Sequence, residues 1–281
     1  MGYVLKPVQG EPLGTREKEF YRTVCGMSKE SKPVTKDITL LRNLIPPFFG
    51  VAVLEPVSED YDSEPHSASE YIVMGDIIQN FRTPCVLDLK IGRQTWSPDA
   101  PAEKISHEKS KYAETKDKLG LSLTGMLVYD IKKGKTVRRE ASFGKQLDPI
   151  TLRDSLGEFL NEKVGVHQFI AKTLVKKLLK VKEFFCAQKQ YAFYSSSLLV
   201  AYDASYVEHR LKSSYVKERK FYRTCHRDEE EWLRVWMIDF SHVHPANGQL
   251  DNNYIFGLNS VIRIITSFAE GNSTNPIRKL P

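Results

Sequence analysis

Between residues 86 and 91 the chain alternates cleanly, so that Asp88 and Lys90 fall on one face of a strand and Leu87, Leu89 and Ile91 on the other. Upstream, residues 3–5 read as a strand fragment, and 16–25 as a helix with Phe20 and Val24 four apart on one apolar face. A Pro-Pro break at 44–47 precedes an apolar run over 48–54. Residues 55–70, rich in acid, Pro and Ser, read as a solvated loop before a second strand at 71–74. Downstream, the pattern predicts a helix over 101–112, a strand over 121–130, and helices over 151–160 and 168–187. The last of these repeats Leu174, Leu178, Val181 and Phe185. A strand over 231–240 carries Asp239 at its end, and an amphipathic helix over 254–268 closes the pattern. The tail, 271–281, is polar and expected to be disordered. There is no internal repeat, and the mixture indicates an α+β chain.

The 281 residues are 41% hydrophobic and 27% charged, ordinary for a globular chain with a substantial core. No stretch approaches the roughly 18 apolar residues that a membrane helix needs. The first six residues lack a secretory core, and Lys6 stands where a myristoylation motif wants Ser or Thr. Cys25, Cys85, Cys186 and Cys225 are far apart, suggesting neither a zinc site nor a disulfide framework, so reduced thiols in the nucleus or cytoplasm are expected. The net charge of +6 suits a polyanionic partner without choosing among nucleic acid, membrane surface and phosphorylated small molecule.

Asp88 and Lys90, set among large aliphatic residues, form either a structural ion pair or part of a site. Burying such charges is costly unless they meet ligands. Lys104, His107, Glu108 and Lys111 are spaced i, i+3, i+4, i+7, which gathers them on one face of the expected helix, as a solvated face or as an anion-binding one. From 207 to 227 the chain carries Arg210, Lys212, Lys217, Arg219, Lys220, Arg223 and Arg227 with aromatic residues between, reading equally as a flexible basic loop or a nuclear-localisation or anion-binding patch.

Four elements occur in order: Pro84-Cys85-Val86-Leu87-Asp88-Leu89-Lys90-Ile91-Gly92, Ser196-Ser197-Leu198-Leu199, Ile238-Asp239-Phe240, and Asp251-Asn252-Asn253-Tyr254-Ile255-Phe256-Gly257-Leu258. Each is weak alone; together they resemble the inositol polyphosphate kinase family, from Val4 to about Ala269, most closely its animal-type multikinase branch. The resemblance implies a two-lobed, kinase-like α+β fold, related to protein kinases and ATP-grasp enzymes, with antiparallel sheets and an inserted substrate-binding helical segment. The N-terminal lobe would span 1–82, the larger lobe 83–270 with the substrate helix at 98–118, and the tail 271–281. It further implies ATP as co-substrate, Mg²⁺ and a monomeric enzyme without stable nucleic-acid binding. Lys6 is similar to the lysine that grips the ATP phosphates, and Glu17 to the helix residue that steadies it. Asp76 and Ile77 fall at the adenine-contacting hinge. Asp88 lies at the transfer centre, Lys90 bridges substrate and transferring phosphate, and Asp239 is the Mg²⁺ ligand. Lys104, His107, Glu108, Lys111 and His242 line the acceptor pocket, although a lone His after a strand is also commonly structural.

Departures from the family pattern bear on the acceptor. Gly75 replaces an acidic hinge residue, Leu127 stands where relatives often have Arg or Gln, His107 and Glu108 replace paired Gln, and Asn253 replaces Gly. Strands that precede Lys6 in the family are expected to be missing, which would weaken the hold on ATP. The leading reading is transfer to inositol tris- or tetrakisphosphate, with phosphatidylinositol bisphosphate as a further acceptor. The alternatives are transfer to inositol hexakisphosphate, or a non-catalytic nuclear scaffold that keeps the fold.

Overall fold

The computed structural model describes residues 2–28, 35–54, 69–215 and 232–271. A small antiparallel sheet comprises β1 (Tyr3–Pro7), β2 (Phe48–Leu54) and β3 (Ser69–Gly75), in the order β1-β3-β2, with helices α1 (Leu13–Cys25) and α2 (Lys36–Arg42) beside it. The larger sheet has the order β6-β5-β4-β8-β9. Its strands are β4 (Pro84–Ile91), β5 (Leu121–Asp130), β6 (Lys135–Arg139), β8 (Ser197–Asp203) and β9 (Leu233–Ile238). A ribbon of β7 (Tyr191–Phe193) and β10 (Val243–Pro245) adjoins them. The remaining helices are α3 (Ala102–Ser110), α4 (Ala113–Leu119), α5 (Ala141–Gly144), α6 (Pro149–Phe159), α7 (His167–Ala187), α8 (Ala204–Tyr215) and α9 (Asn252–Ala269). No described helix is long and apolar enough to cross a membrane.

Strand β4 is central, which is why its period of two matters. Leu87, Leu89 and Ile91 are buried on the face covered by α9, while Asp88 and Lys90 stay half-buried on the other. Asp88 lies opposite Gly125 of β5 and Leu199 of β8, Lys90 opposite Ser122 and Ser197. Helix α7 packs along α9, with Phe185 stacked on Tyr254 at 4.0 Å. Helix α6 begins with a capping box between Asp148 and Thr151.

The last motif proves architectural. Asp251 caps α9 through the Tyr254 N–H and also accepts the Phe193 N–H at 2.7 Å, tying helix to ribbon. Asn253 clamps Gln94 from both sides, accepting its N–H at 2.8 Å and donating to its carbonyl at 2.9 Å. Gly92, at φ 109°, leaves room for this clamp, since a Cβ there would lie 2.5 Å from Asn253 Nδ2. Gly257 admits no side chain either: a Cβ would come within 2.3 Å of the Gly120 carbonyl and 2.9 Å of the Gly92 nitrogen. Gly257→Ala is therefore expected to lose roughly 2–3 kcal/mol by urea unfolding, because backbone on both sides must move. An unchanged midpoint would refute this packing argument.

Some expectations need correction. The single substrate helix over 98–118 is two helices: Lys111 is extended, with ψ 130°, and Tyr112 is left-handed, with φ 55°. The stretch is almost wholly polar, so periodicity carries no mark of the break. Lys111 consequently lies beyond α3 and does not extend its face. Strand β9 ends at Ile238, leaving Asp239 in the turn. Strand β6 and helix α5 had no clear signal. Part of the basic run is ordered as α8, which holds Arg210 and Lys212; its remainder, like 55–68 and the tail from 272, lies outside the described residues.

Candidate active site

Lys6 and Asp239 meet across the whole chain. The Lys6 ammonium is 2.7 Å from Glu17 Oε1 and 2.7 Å from Asp239 Oδ1. On β1, Lys6 shares a face with its β3 partner Ile72, which is fully buried, so the side chain is directed inward. Glu17, fully buried on α1, also accepts the Phe240 N–H at 3.0 Å and the Ser241 hydroxyl at 3.2 Å. Burial alone would lower the Lys6 pKa, but the charges of Asp239 and Glu17, with hydrogen bonds to both, leave it raised.

Asp239 adopts φ 64°, an unfavourable conformation for a residue with a side chain. The next residue explains how it is held. Phe240 is fully buried, 4.4 Å from the Phe20 ring and 5.3 Å from Tyr21, and its N–H is taken by Glu17. The aromatic anchor thus leaves the aspartate 41% exposed beside Lys6.

Asp88 lies on the same side of the structure. Its Oδ1 is buried and has no hydrogen-bond partner. Burial pushes the carboxyl pKa up and the Asp239 charge adds to it, while the Thr124 and Ser197 hydroxyls and Lys90 pull back without reversing the shift. The Lys90 ammonium donates to Ser195 Oγ at 2.7 Å.

Next to Lys90 is a polar group built by α3 and the loop before it. Glu108 accepts from Lys111 at 2.7 Å and from Thr95 at 3.0 Å. These contacts and the nearby Lys90 charge overcome the opposing effect of burial and hold its carboxyl below the usual range. Lys116, only 1% exposed, donates to the Glu108 carbonyl and so caps the end of α3. Ser97 Oγ contacts His242 Nδ1 at 2.6 Å. Burial, then the charges of Lys104, Arg16, His244 and Lys90, pushes the His242 pKa down to about 4, so the ring is neutral at physiological pH. Lys104 and His107 are exposed; His107 has no side-chain partner among the described residues and stands apart from the group.

At the connection after β3, the Asp76 N–H donates to the Gly2 carbonyl at 3.0 Å and the Ile77 carbonyl accepts from Arg234 at 2.6 Å. The Ile77 N–H has no partner among the described residues. Sequence reasoning missed Ser97, Thr124, Ser195 and Lys116. Ser195 directly precedes the Ser196-Ser197 pair and so carried a signal; the others carried none.

A family model described as inositol polyphosphate kinase matches residues 71–266. The chain belongs to the inositol polyphosphate kinase family. Its relatives within that family include the inositol polyphosphate multikinase of Rattus norvegicus, 31% identical over 204 residues, which cover 73% of this chain and 48% of the relative. Another is inositol hexakisphosphate kinase 3 of Homo sapiens, 29% identical over 213 residues, covering 72% and 52%. The chain thus spans about half the length of the curated relatives it matches. Among solved structures, an inositol phosphate multikinase aligns with TM-score 0.54 and 26% identity, over 70% of this chain and 84% of that one. A second, from S. cerevisiae in complex with ADP and Mn²⁺, aligns with TM-score 0.67 over 95% and 98%, at 20% identity, a likeness of fold. The α+β arrangement with its antiparallel sheets is therefore the inositol polyphosphate kinase fold.

Proposed function

We propose that this chain is an ATP-dependent kinase that transfers the γ-phosphate to a hydroxyl of inositol tris- or tetrakisphosphate. The observation that carries the reading is the convergence of Lys6, Glu17 and Asp239 beside an Asp88 oxygen that is buried yet unpartnered. Phosphoryl transfer requires a cation on the nucleotide phosphates, a carboxylate for the metal and a charged acceptor site, with catalysis chiefly by positioning and electrostatics. An exposed Asp239 with one oxygen away from Lys6, close to a second carboxylate whose pKa is raised, fits a divalent cation. Mg²⁺ bound there would neutralise phosphate charge.

The chain's own residues supply the remainder. Lys6, aimed by the buried Glu17, holds ATP phosphates. The Ile77 N–H is offered to adenine. Asp88 takes the proton of the acceptor hydroxyl through its other carboxylate oxygen, a role that its raised pKa favours. Lys90, two residues along the same strand face, spans the transferring phosphate and the acceptor. Neutral His242, with Nδ1 engaged by Ser97, keeps Nε2 for the acceptor ring.

The acceptor side favours fewer phosphates over six. Glu108 offsets Lys111, and Leu127 places an apolar side chain on the same face of the sheet, opposite Val86. The reading extends to the head group of phosphatidylinositol bisphosphate, whose ring carries a similar hydroxyl among phosphates. To test it, Mg-ATP is incubated with inositol trisphosphate or with hexakisphosphate and the products are resolved by anion exchange. Product is expected from the trisphosphate, with a loss of about a thousandfold in Asp239→Asn. Product from hexakisphosphate alone would move the chain to the pyrophosphate-forming branch, and full activity in Asp239→Asn would sink the kinase reading.

A further inference from the structure

A cavity of about 880 Å³, lined by neither Asp88 nor Asp239, lies between α1, helix α2 and the β7–β10 ribbon. Its floor is apolar: Ile38 and Phe20 are buried, and the Tyr191 ring meets Phe20 edge-on at 5.6 Å. Its walls are cationic. Arg42, on α2, donates its Nε to the Val24 carbonyl and has no carboxylate partner among the described residues; Lys189, just before β7, has none either. Glu19, the one carboxylate among the described lining residues, is engaged by Arg22 at 2.6 Å. Arg16, bonded to His244 at 3.1 Å and 3.6 Å from Asp99, forms the wall between this cavity and the Ser97–His242 pair.

We propose that this cavity is a second ligand site, for an organic phosphate monoester with an aromatic or apolar body. Two cations without counter-charges among the described residues, set beside an apolar floor, favour an anion that desolvates them while its body covers the rings. Inorganic phosphate would leave the floor wet, and a neutral aromatic would leave Arg42 and Lys189 unmatched. The site uses neither Asp88 nor Asp239, so the inference stands apart from the transferase reading.

The test is a fluorescence titration with 1-naphthyl phosphate, beside 1-naphthol and inorganic phosphate. The ester is expected to bind at least about tenfold more tightly than either control. Lys189→Glu, at an exposed position, and Thr23→Trp, which projects bulk from α1 into the cavity, are each expected to weaken it by about tenfold or more with an unchanged circular dichroism spectrum. Lys90→Ala is expected to leave it intact. Equal binding of naphthol, indifference to both cavity variants, no binding at all, or loss in Lys90→Ala, which would place the probe at the candidate active site, would each overturn the proposal.

Discussion

Replacing Asp88 with asparagine is expected to lower turnover about a thousandfold while raising the unfolding temperature at neutral pH. The first effect follows from losing the base proposed for the acceptor hydroxyl. The second follows from what that carboxylate costs the fold: it is charged, largely desolvated, close to Asp239, and one of its oxygens has no partner. A carboxyl whose pKa is higher folded than unfolded binds more protons in the folded state, so stability falls as pH rises through that interval. Below the ordinary carboxylate range, near pH 4, both states are protonated and the penalty vanishes. Wild type and Asp88→Asn should therefore converge in stability on acidification and diverge again toward neutrality. Calorimetric scans at several pH values, paired with initial rates, check both halves. A variant that is inactive and equally or less stable at pH 7 would show that Asp88 serves the fold. The opposite changes in activity and stability mark strain retained for function.

How much of this was legible in the sequence depends on the range of the interaction. The Asp88–Lys90 face was visible because a strand's period of two is local and its buried face is uniformly aliphatic. Helices α6, α7 and α9 were visible for the same reason, each carrying an apolar stripe for the core. The α3–α4 break was not, since polar residues on both sides give no pattern to interrupt. The ties among Lys6, Glu17 and Asp239 could not be read from spacing at all, because partners 233 residues apart leave no periodic trace. For them the family motifs supplied the pairing and the structure supplied the geometry. Asn253 shows the converse. In the motif it is only a departure from glycine; in the fold it is the clamp on the loop that leads from Lys90 to Thr95 and Ser97.

Lys6→Met is expected to abolish measurable transfer and to destabilise the chain by about 3 kcal/mol, because it strands a buried charge. Glu17 is fully inside, and without Lys6 it keeps only the Phe240 N–H and the Ser241 hydroxyl to balance its ionised form. That N–H belongs to the anchor that holds Asp239 in its left-handed turn, so the loss spreads from Lys6 to the proposed metal ligand. Glu17→Gln in the same background removes the stranded charge, and the double variant should recover much of the stability and none of the activity. Urea unfolding of the wild type, both single variants and the double variant forms a cycle whose coupling measures the pair directly. Additive losses would mean that Lys6 and Glu17 act independently. A strong coupling, with activity absent in both variants that lack Lys6, would show that Lys6 and the buried Glu17 carboxylate act as one unit.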